Sequence, residues 1–313
     1  MGITIATSIA PKNIDFQKKA ISTWKDLGFD VISINSAREI QQLAGYFPAV
    51  DFVEATRDAS AIAGKPFVFF DDVLIALKSS GSEICGIVNS DIFLLDRKLL
   101  DAVAGEAREG FLFGSRIDIP SLDQRDGRFH LWGFDYFFFN RSIIDIYNQT
   151  DFCLGAPSWD YWAVLAPVVK GVAVKQLITP AAYHVRHSAR YDYDLINRFG
   201  QKLLSCLRQG DLVDCMDKDL AAIVKEKGNE TKFDLISLRI CNYLIHKTQK
   251  ISFSRTSDPG ECNPVFNEET QYYDNLAREF RFGLVYQRIR TMNGFTRRTF
   301  DLLNELHIKM TGM

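Results

Sequence analysis

Short apolar runs alternate with amphipathic stretches through the first 190 residues. Ile3-Thr4-Ile5-Ala6-Thr7-Ser8 predicts a strand that begins almost at the first residue. Phe16, Ala20, Ile21 and Trp24 recur at helical spacing, which predicts a helix over 15–27 stopped by Gly28. Residues 30–35 predict a second strand, and Ser36 can cap a helix running through Ile40 and Leu43. Lys65-Pro66 predicts the opening of another helix, with proline in the first turn, continuing through Val73, Leu74 and Leu77. A buried-type strand over 83–88 exits at Asn89-Ser90-Asp91, and 92–103 reads as a connection and a helix. Further apolar strands are predicted over 110–115, 133–140 and 172–178.

Strand, helix, strand with short connections predicts an α/β fold: an open, mostly parallel sheet flanked by helices. Ligands of such sheets gather at the carboxyl ends of the strands. Thr7-Ser8, Asn35-Ser36 and Asn89-Ser90-Asp91 all stand at strand exits, so they are expected on one rim. After about Arg190 the strand pattern fades. Helical periodicity covers 193–206, 212–224, 233–245 and 268–310, with a Ser-, Asp-, Pro- and Gly-containing linker over 254–264. The chain therefore divides into an α/β domain over 1–190 and an α-helical C-terminal appendage over 191–313.

Charge and composition narrow the classes. The 313 residues carry 37 Lys and Arg against 39 Asp and Glu, a net charge of -2 that offers no field for nucleic acid. No apolar run reaches the ~20 residues of a membrane span. Met1 to Lys12 lacks the pattern of a secretory leader, and six separated cysteines read as small buried hydrophobes, so the cytosol is the expected location. The 24 Phe need a large core, or a core plus an interface.

Four segments could carry chemistry. Asn89-Ser90-Asp91 is a polar turn ending in a carboxylate, which suits a hard divalent cation; the plain alternative is an Asp capping the next turn. His184 and His187 offer neutral imidazoles, and in an extended segment their spacing sends them to different faces, so one of the two is expected at a metal. In Gly155-Ala156-Pro157-Ser158-Trp159-Asp160-Tyr161-Trp162 a carboxylate stands among aromatic faces that can pack on sugar rings. Core packing of Trp159 and Trp162 at helical spacing is the competing reading. Trp132 and Asp135 flank Gly133-Phe134 before a very apolar strand, so Asp135 is hydrogen-bonded in the core or lines a site. Arg116 can meet a phosphate or pair with Asp118, the ion pair being the expectation. Dinucleotide and P-loop glycine patterns, GxSxG, HExxH and a Cys/His zinc spacing are all absent.

The order of these motifs over 1–190 resembles the glycosyltransferases of the A-type fold (GT-A), which use nucleotide-sugar donors. Gly64-Lys65-Pro66-Phe67, Gly133-Phe134-Asp135, Trp159-Asp160 and His184/His187 extend the resemblance. Asn89-Ser90-Asp91 looks like the family's Asp-X-Asp motif with Asn in place of the first Asp. The resemblance implies Asp91 with His184 or His187 as ligands of Mn²⁺ or Mg²⁺. It implies Thr7, Ser8, Asn35, Lys65, Asn89, Ser90, Asp91 and Arg116 along the donor, a UDP-sugar above all. Trp132, Asp135 and Trp159 would face a glycan or lipid-linked acceptor in glycan or polysaccharide biosynthesis, with Asp160 as the base of an inverting transfer, favoured over a retaining one in which a carboxylate near this place is not a simple base. Two alternatives stand beside it. A sugar-nucleotide nucleotidyltransferase would carry a Gly-rich, Arg-containing loop where this chain has Ser8-Ile9-Ala10-Pro11-Lys12. A non-catalytic carbohydrate-binding protein would account for Asn89.

The tail from Arg278 to Lys309 holds seven Lys and Arg against three acids, with apolar residues interleaved. Packing on the α/β domain or in a homo-oligomer is the expected use of such helices, with at most peripheral contact at the inner face of a membrane.

Overall fold

The computed structural model describes residues 2–187, 192–209, 212–226, 232–253, 268–292 and 296–311. The expected domain boundary near 190 and the linker over 254–264 lie outside the described residues.

The strands, in chain order, are β1 (Ile3–Thr7), β2 (Asp30–Asn35), β3 (Asp51–Glu54), β4 (Ile84–Val88), β5 (Phe93–Leu94), β6 (Phe111–Gly114), β7 (Ile117–Ile119), β8 (Arg128–Phe129), β9 (Tyr136–Asn140), β10 (Val174–Leu177), β11 (Ala182–Val185) and β12 (Gln249–Ile251). The main sheet runs β12-β10-β6-β9-β4-β1-β2-β3. Its strands are parallel except β9, which is antiparallel to both β4 and β6. β1 and β4 are buried along their whole length, which is why they read as nearly continuous apolar runs.

β9 shows how sequence becomes layering. Successive side chains of a strand point to opposite faces. Phe137 and Phe139 accordingly join the core on one side of the sheet, while Tyr136 and Phe138 join the core on the other. Gly86 of β4 makes room for this pile of aromatics, since a Cβ there would lie 2.7 Å from the Phe138 ring.

The helices are α1 (Ile14–Asp26), α2 (Ala37–Leu43), α3 (Ser60–Ala63), α4 (Phe70–Ser79), α5 (Lys98–Glu106), α6 (Trp159–Val169), α7 (Tyr193–Leu207), α8 (Leu212–Cys215), α9 (Lys218–Lys225), α10 (Phe233–Lys247), α11 (Glu268–Thr291) and α12 (Arg297–Thr311). Trp24 of α1, Leu43 of α2 and Leu99 of α5 enter the core that Tyr136 and Phe138 share. Helices α4, α6, α7 and α10 cover the opposite face. The result is the open, mostly parallel, helix-flanked sheet that the GT-A resemblance implies.

Three expectations are corrected. Lys65-Pro66 does not begin a helix. The chain there is a loop, and α4 starts at Phe70, whose N–H is held by the Phe152 carbonyl at 2.7 Å. The stretch 212–224 is two short helices, because the Asp217 carboxylate caps a fresh start at Lys218 by accepting from Asp219 N and Leu220 N. The C-terminal region is not purely helical. β12 pairs in parallel with β10, and α7 and α10 share the core of the sheet domain, so a division at 190 cuts one continuous core. Helices α11 and α12 attach through a third cluster containing Leu238, Phe282, Tyr286 and Phe300. Arg290 of α11 adds an ion pair to buried Asp234 at 2.8 Å.

Candidate functional site

A second sheet, β5-β11-β7-β8, sits where the main strands end, and its register builds the site. β7 follows directly after β6, and β11 pairs with it so that His184 faces Asp118. β5 pairs with β11 through Tyr183 and Phe93, which draws in the turn preceding β5. That turn is Asn89-Ser90-Asp91-Ile92, closed by Ile92 N–H donating to the Asn89 carbonyl at 3.1 Å. Trp24 of α1 pins it from beneath, its indole N–H donating to the Ile92 carbonyl at 2.7 Å.

Three side chains then converge. Asp91 Oδ2 lies 3.5 Å from His184 Nε2 and 3.8 Å from His187 Nε2, and the two Nε2 atoms are 3.2 Å apart. All three potential ligand atoms fall within 4.8 Å of one another. The expectation that only one histidine would face Asp91 is wrong, because the chain leaves β11 after Val185 and turns His187 back toward His184. Two unprotonated Nε2 lone pairs at this distance repel unless a proton or a cation lies between them. Ligands at right angles on a small divalent cation stand ~3 Å apart, so the set fits such an ion.

Asp118 completes the arrangement. It is buried, and its Oδ1 accepts from His184 Nδ1 at 2.8 Å, which leaves Nε2 directed at Asp91. Arg116 spans the cluster, donating from Nε to Asp118 at 2.8 Å and from Nη1 to Asp135 at 2.7 Å. Burial alone would raise the Asp91 and Asp118 carboxyls. Hydrogen bonds from His184, joined at Asp91 by His187, and the Arg116 charge overcome this and hold both below the usual carboxylate range. Burial would depress His184, but bonds to Asp118 and Asp91 lift it to about 9. His130 goes the other way, down to about 4, through burial and the Arg116 charge.

Asp160 stands in the first turn of α6 and accepts from Phe134 N–H at 3.1 Å. Gly133 lies against it, so a Cβ there would come within 3.3 Å of Asp160 Oδ2. Burial raises its carboxyl to about 7, outweighing the Phe134 bond that lowers it, with a smaller upward contribution from the Asp135 charge. A carboxylate with this value is poised to accept a proton near neutral pH.

The other expected site residues divide sharply. Thr7 Oγ1 is buried at the end of β1 and has no partner among the described residues. Ser8 follows it, half-buried. Asn35 is consumed structurally, donating to the Ile9 carbonyl at 2.8 Å and accepting from Ser33. Ser90 donates to Gln17, which also braces the backbone of Ala10 and Lys12. Asn89 donates to Asp135 at 3.1 Å, so it supports the cluster and is not a fourth ligand. Arg116 carries the expected Asp118 pair through Nε and an Asp135 pair besides through Nη1. Lys65 is exposed over the Phe67 ring and joins none of these groups.

On the expected acceptor side, Trp159 is core, packed against Phe70 and Phe137. Trp132 is held by the C-terminal helices, with its indole N–H on Glu279 and its ring against Phe282 and His307. Asp135 is buried beneath Arg116 and Asn89. These three are therefore not free sugar-stacking or acceptor groups. The residues that sequence reasoning undervalued are Asp118, His130 and Gln17. Asp118 appeared only as an ion-pair partner, because its pairing with His184 depends on strand register 66 residues away.

No protein-family model matches the chain, and no curated protein matches it. Among solved structures, the chain is similar to S. aureus TarS 1–349 in complex with UDP-GlcNAc, at 13% identity and TM-score 0.45, over 90% of this chain and 81% of that one. Full TarS gives 13% identity and TM-score 0.46 over 90% of this chain and 49% of the other. HddC from Yersinia pseudotuberculosis, complexed with GMP-PN, gives 12% identity and TM-score 0.35 over 61% and 92%.

Proposed function

We propose that the chain is a metal-dependent glycosyltransferase that moves a sugar from a nucleotide-sugar donor to a hydroxyl acceptor in glycan or polysaccharide biosynthesis. The observation that carries this reading is the convergence of Asp91, His184 and His187 at one end of a cluster whose other end approaches Asp160. Asp91 and His187 are partly exposed, with side-chain accessibilities of 37% and 56%, so the ligand set opens outward toward a donor. Two imidazoles and one carboxylate favour Mn²⁺ over Mg²⁺, which prefers oxygen. When bound, such a cation supplies charge stabilisation to a leaving nucleoside diphosphate.

The protein's own residues do the rest. Ser8, half-buried after β1, lines the nucleotide side of the rim, with the hydroxyl of Thr7 buried behind it. Asp118 and Arg116 hold His184 and Asp135 in place. Asp160 takes the proton of the attacking hydroxyl, which supports an inverting transfer. UDP-sugars are the first donor class to test. The test is release of nucleoside diphosphate from UDP-, GDP- and CMP-sugars with Mn²⁺ and a broad acceptor mixture. Release that depends on both metal and acceptor supports the reading. Donor binding without release under any combination would favour a carbohydrate-binding protein.

A further inference from the structure

We propose that the outer face of α11 docks on an anionic membrane surface. The inner face of this helix is fully used: Tyr272, Glu279, Phe282, Tyr286 and Arg290 are all buried. The outer face leaves Tyr273, Phe280, Leu284 and Val285 exposed, followed by Met292 at 66% accessibility. Leu302 and Leu306 of α12 are exposed as well, so among the described residues seven of the eleven large exposed hydrophobics lie on this helical pair or, as Met292, just after α11. Scattered exposed apolar residues need no explanation, but a concentration of them does.

Charge decides what covers the face. Arg278, Arg281 and Arg288 are exposed on α11 among these apolar residues, and Asp274 is the one exposed acid among its described side chains. At 100° per residue, Phe280, Tyr273, Leu284, Arg288 and Arg281 fall in an arc of about 100°. Arginines interleaved with aromatic and aliphatic groups match anionic headgroups over an acyl boundary. A second copy of the chain fits less well, because two-fold self-pairing of this face would bring Arg281 and Arg288 onto the same arginine-bearing face of the partner. No helix among the described residues is long and apolar enough to cross a membrane, so the contact is a helix lying on the surface.

This inference does not depend on the donor chemistry, and its test is separate. Full-length protein is floated with phosphatidylcholine vesicles containing or lacking phosphatidylglycerol. The expected result is flotation with anionic vesicles alone, lost at high salt. Arg281→Glu with Arg288→Glu should weaken partitioning at least tenfold, and Phe280→Ser with Leu284→Ser should weaken it too. All four side chains are exposed, so thermal melts of the variants should match the parent. Absence of flotation with anionic vesicles, or equal flotation with neutral ones, overturns the proposal. A solution dimer that Phe280→Ser with Leu284→Ser dissociates, without vesicle binding, would assign the face to a second copy instead.

Discussion

Asp118→Asn separates positioning from folding in the candidate metal site. Asp118 makes no direct approach to the open side of the cluster, yet His184 Nδ1 and Arg116 Nε both donate to its Oδ1 at 2.8 Å. An amide keeps the shape and one acceptor oxygen but loses the charge that makes both bonds strong. Loss of such a partner behind a ligating histidine typically costs 10–100-fold in metal affinity, about 1.4–2.7 kcal/mol. Arg116 retains its 2.7 Å bond to Asp135, so the variant should still fold. Removing the side chain altogether is a poorer test, because stripping one partner from a buried pair costs about 3–5 kcal/mol. The assay is Mn²⁺ titration by calorimetry, with a denaturation curve on the same sample. Acid adds an independent check. A carboxyl held below its ordinary value of 3.8 stabilises the fold above that value and loses its contribution as pH falls through the folded-state pKa. The parent should therefore lose stability more steeply than Asp118→Asn below about pH 3.8. An Asp118→Asn protein that binds Mn²⁺ within twofold of the parent would refute the positioning role.

Other consequences follow from the same structure. Asp160→Asn should lose at least a hundredfold in turnover with donor affinity kept, and the parent's rise in activity through about pH 7 should vanish with it; equal loss of donor binding would move Asp160 off the base role. Because burial raises the Asp160 carboxyl to about 7, ionising it opposes folding above its ordinary value of 3.8, so Asp160→Asn should gain stability relative to the parent as pH rises from 4 to 8 in urea melts. Gly86→Ala should cost roughly 1–3 kcal/mol, since the new Cβ would meet the fully buried Phe138 ring; an unchanged melting temperature would mean that β4 and β9 can separate.

Much of the fold was legible because it rests on local patterns. β1, β2, α1 and the start of α2 follow directly from short apolar runs, helical spacing and one N-cap at Ser36. What stayed hidden was short or distant. β5, β7, β8 and β12 have two or three residues each, too few to show a period, and they form only because partners meet them in register. The metal candidates were visible as residue types at a strand exit. Their geometry was not, since the turn after β11 that returns His187 to His184 has no compositional mark. Trp159 and Trp132 misled for a related reason: an aromatic beside a carboxylate looks the same in sequence whether it faces a cleft, the core or another helix. Asn35 and Asn89 likewise carry polar groups at strand exits that the fold spends on its own backbone and on Asp135.

The proposed function requires Asp91, His184 and His187 to act together as a cation site for donor binding. The most direct measurement is calorimetric titration of a UDP-sugar, in Mn²⁺ and in chelator, into the parent and into Asp91→Ala. Asp91 follows a strand without lying in the packed core, so its loss should spare the fold. The expected result is metal-dependent binding to the parent and none to folded Asp91→Ala. Equal affinity of the two proteins for the donor in Mn²⁺ would contradict it.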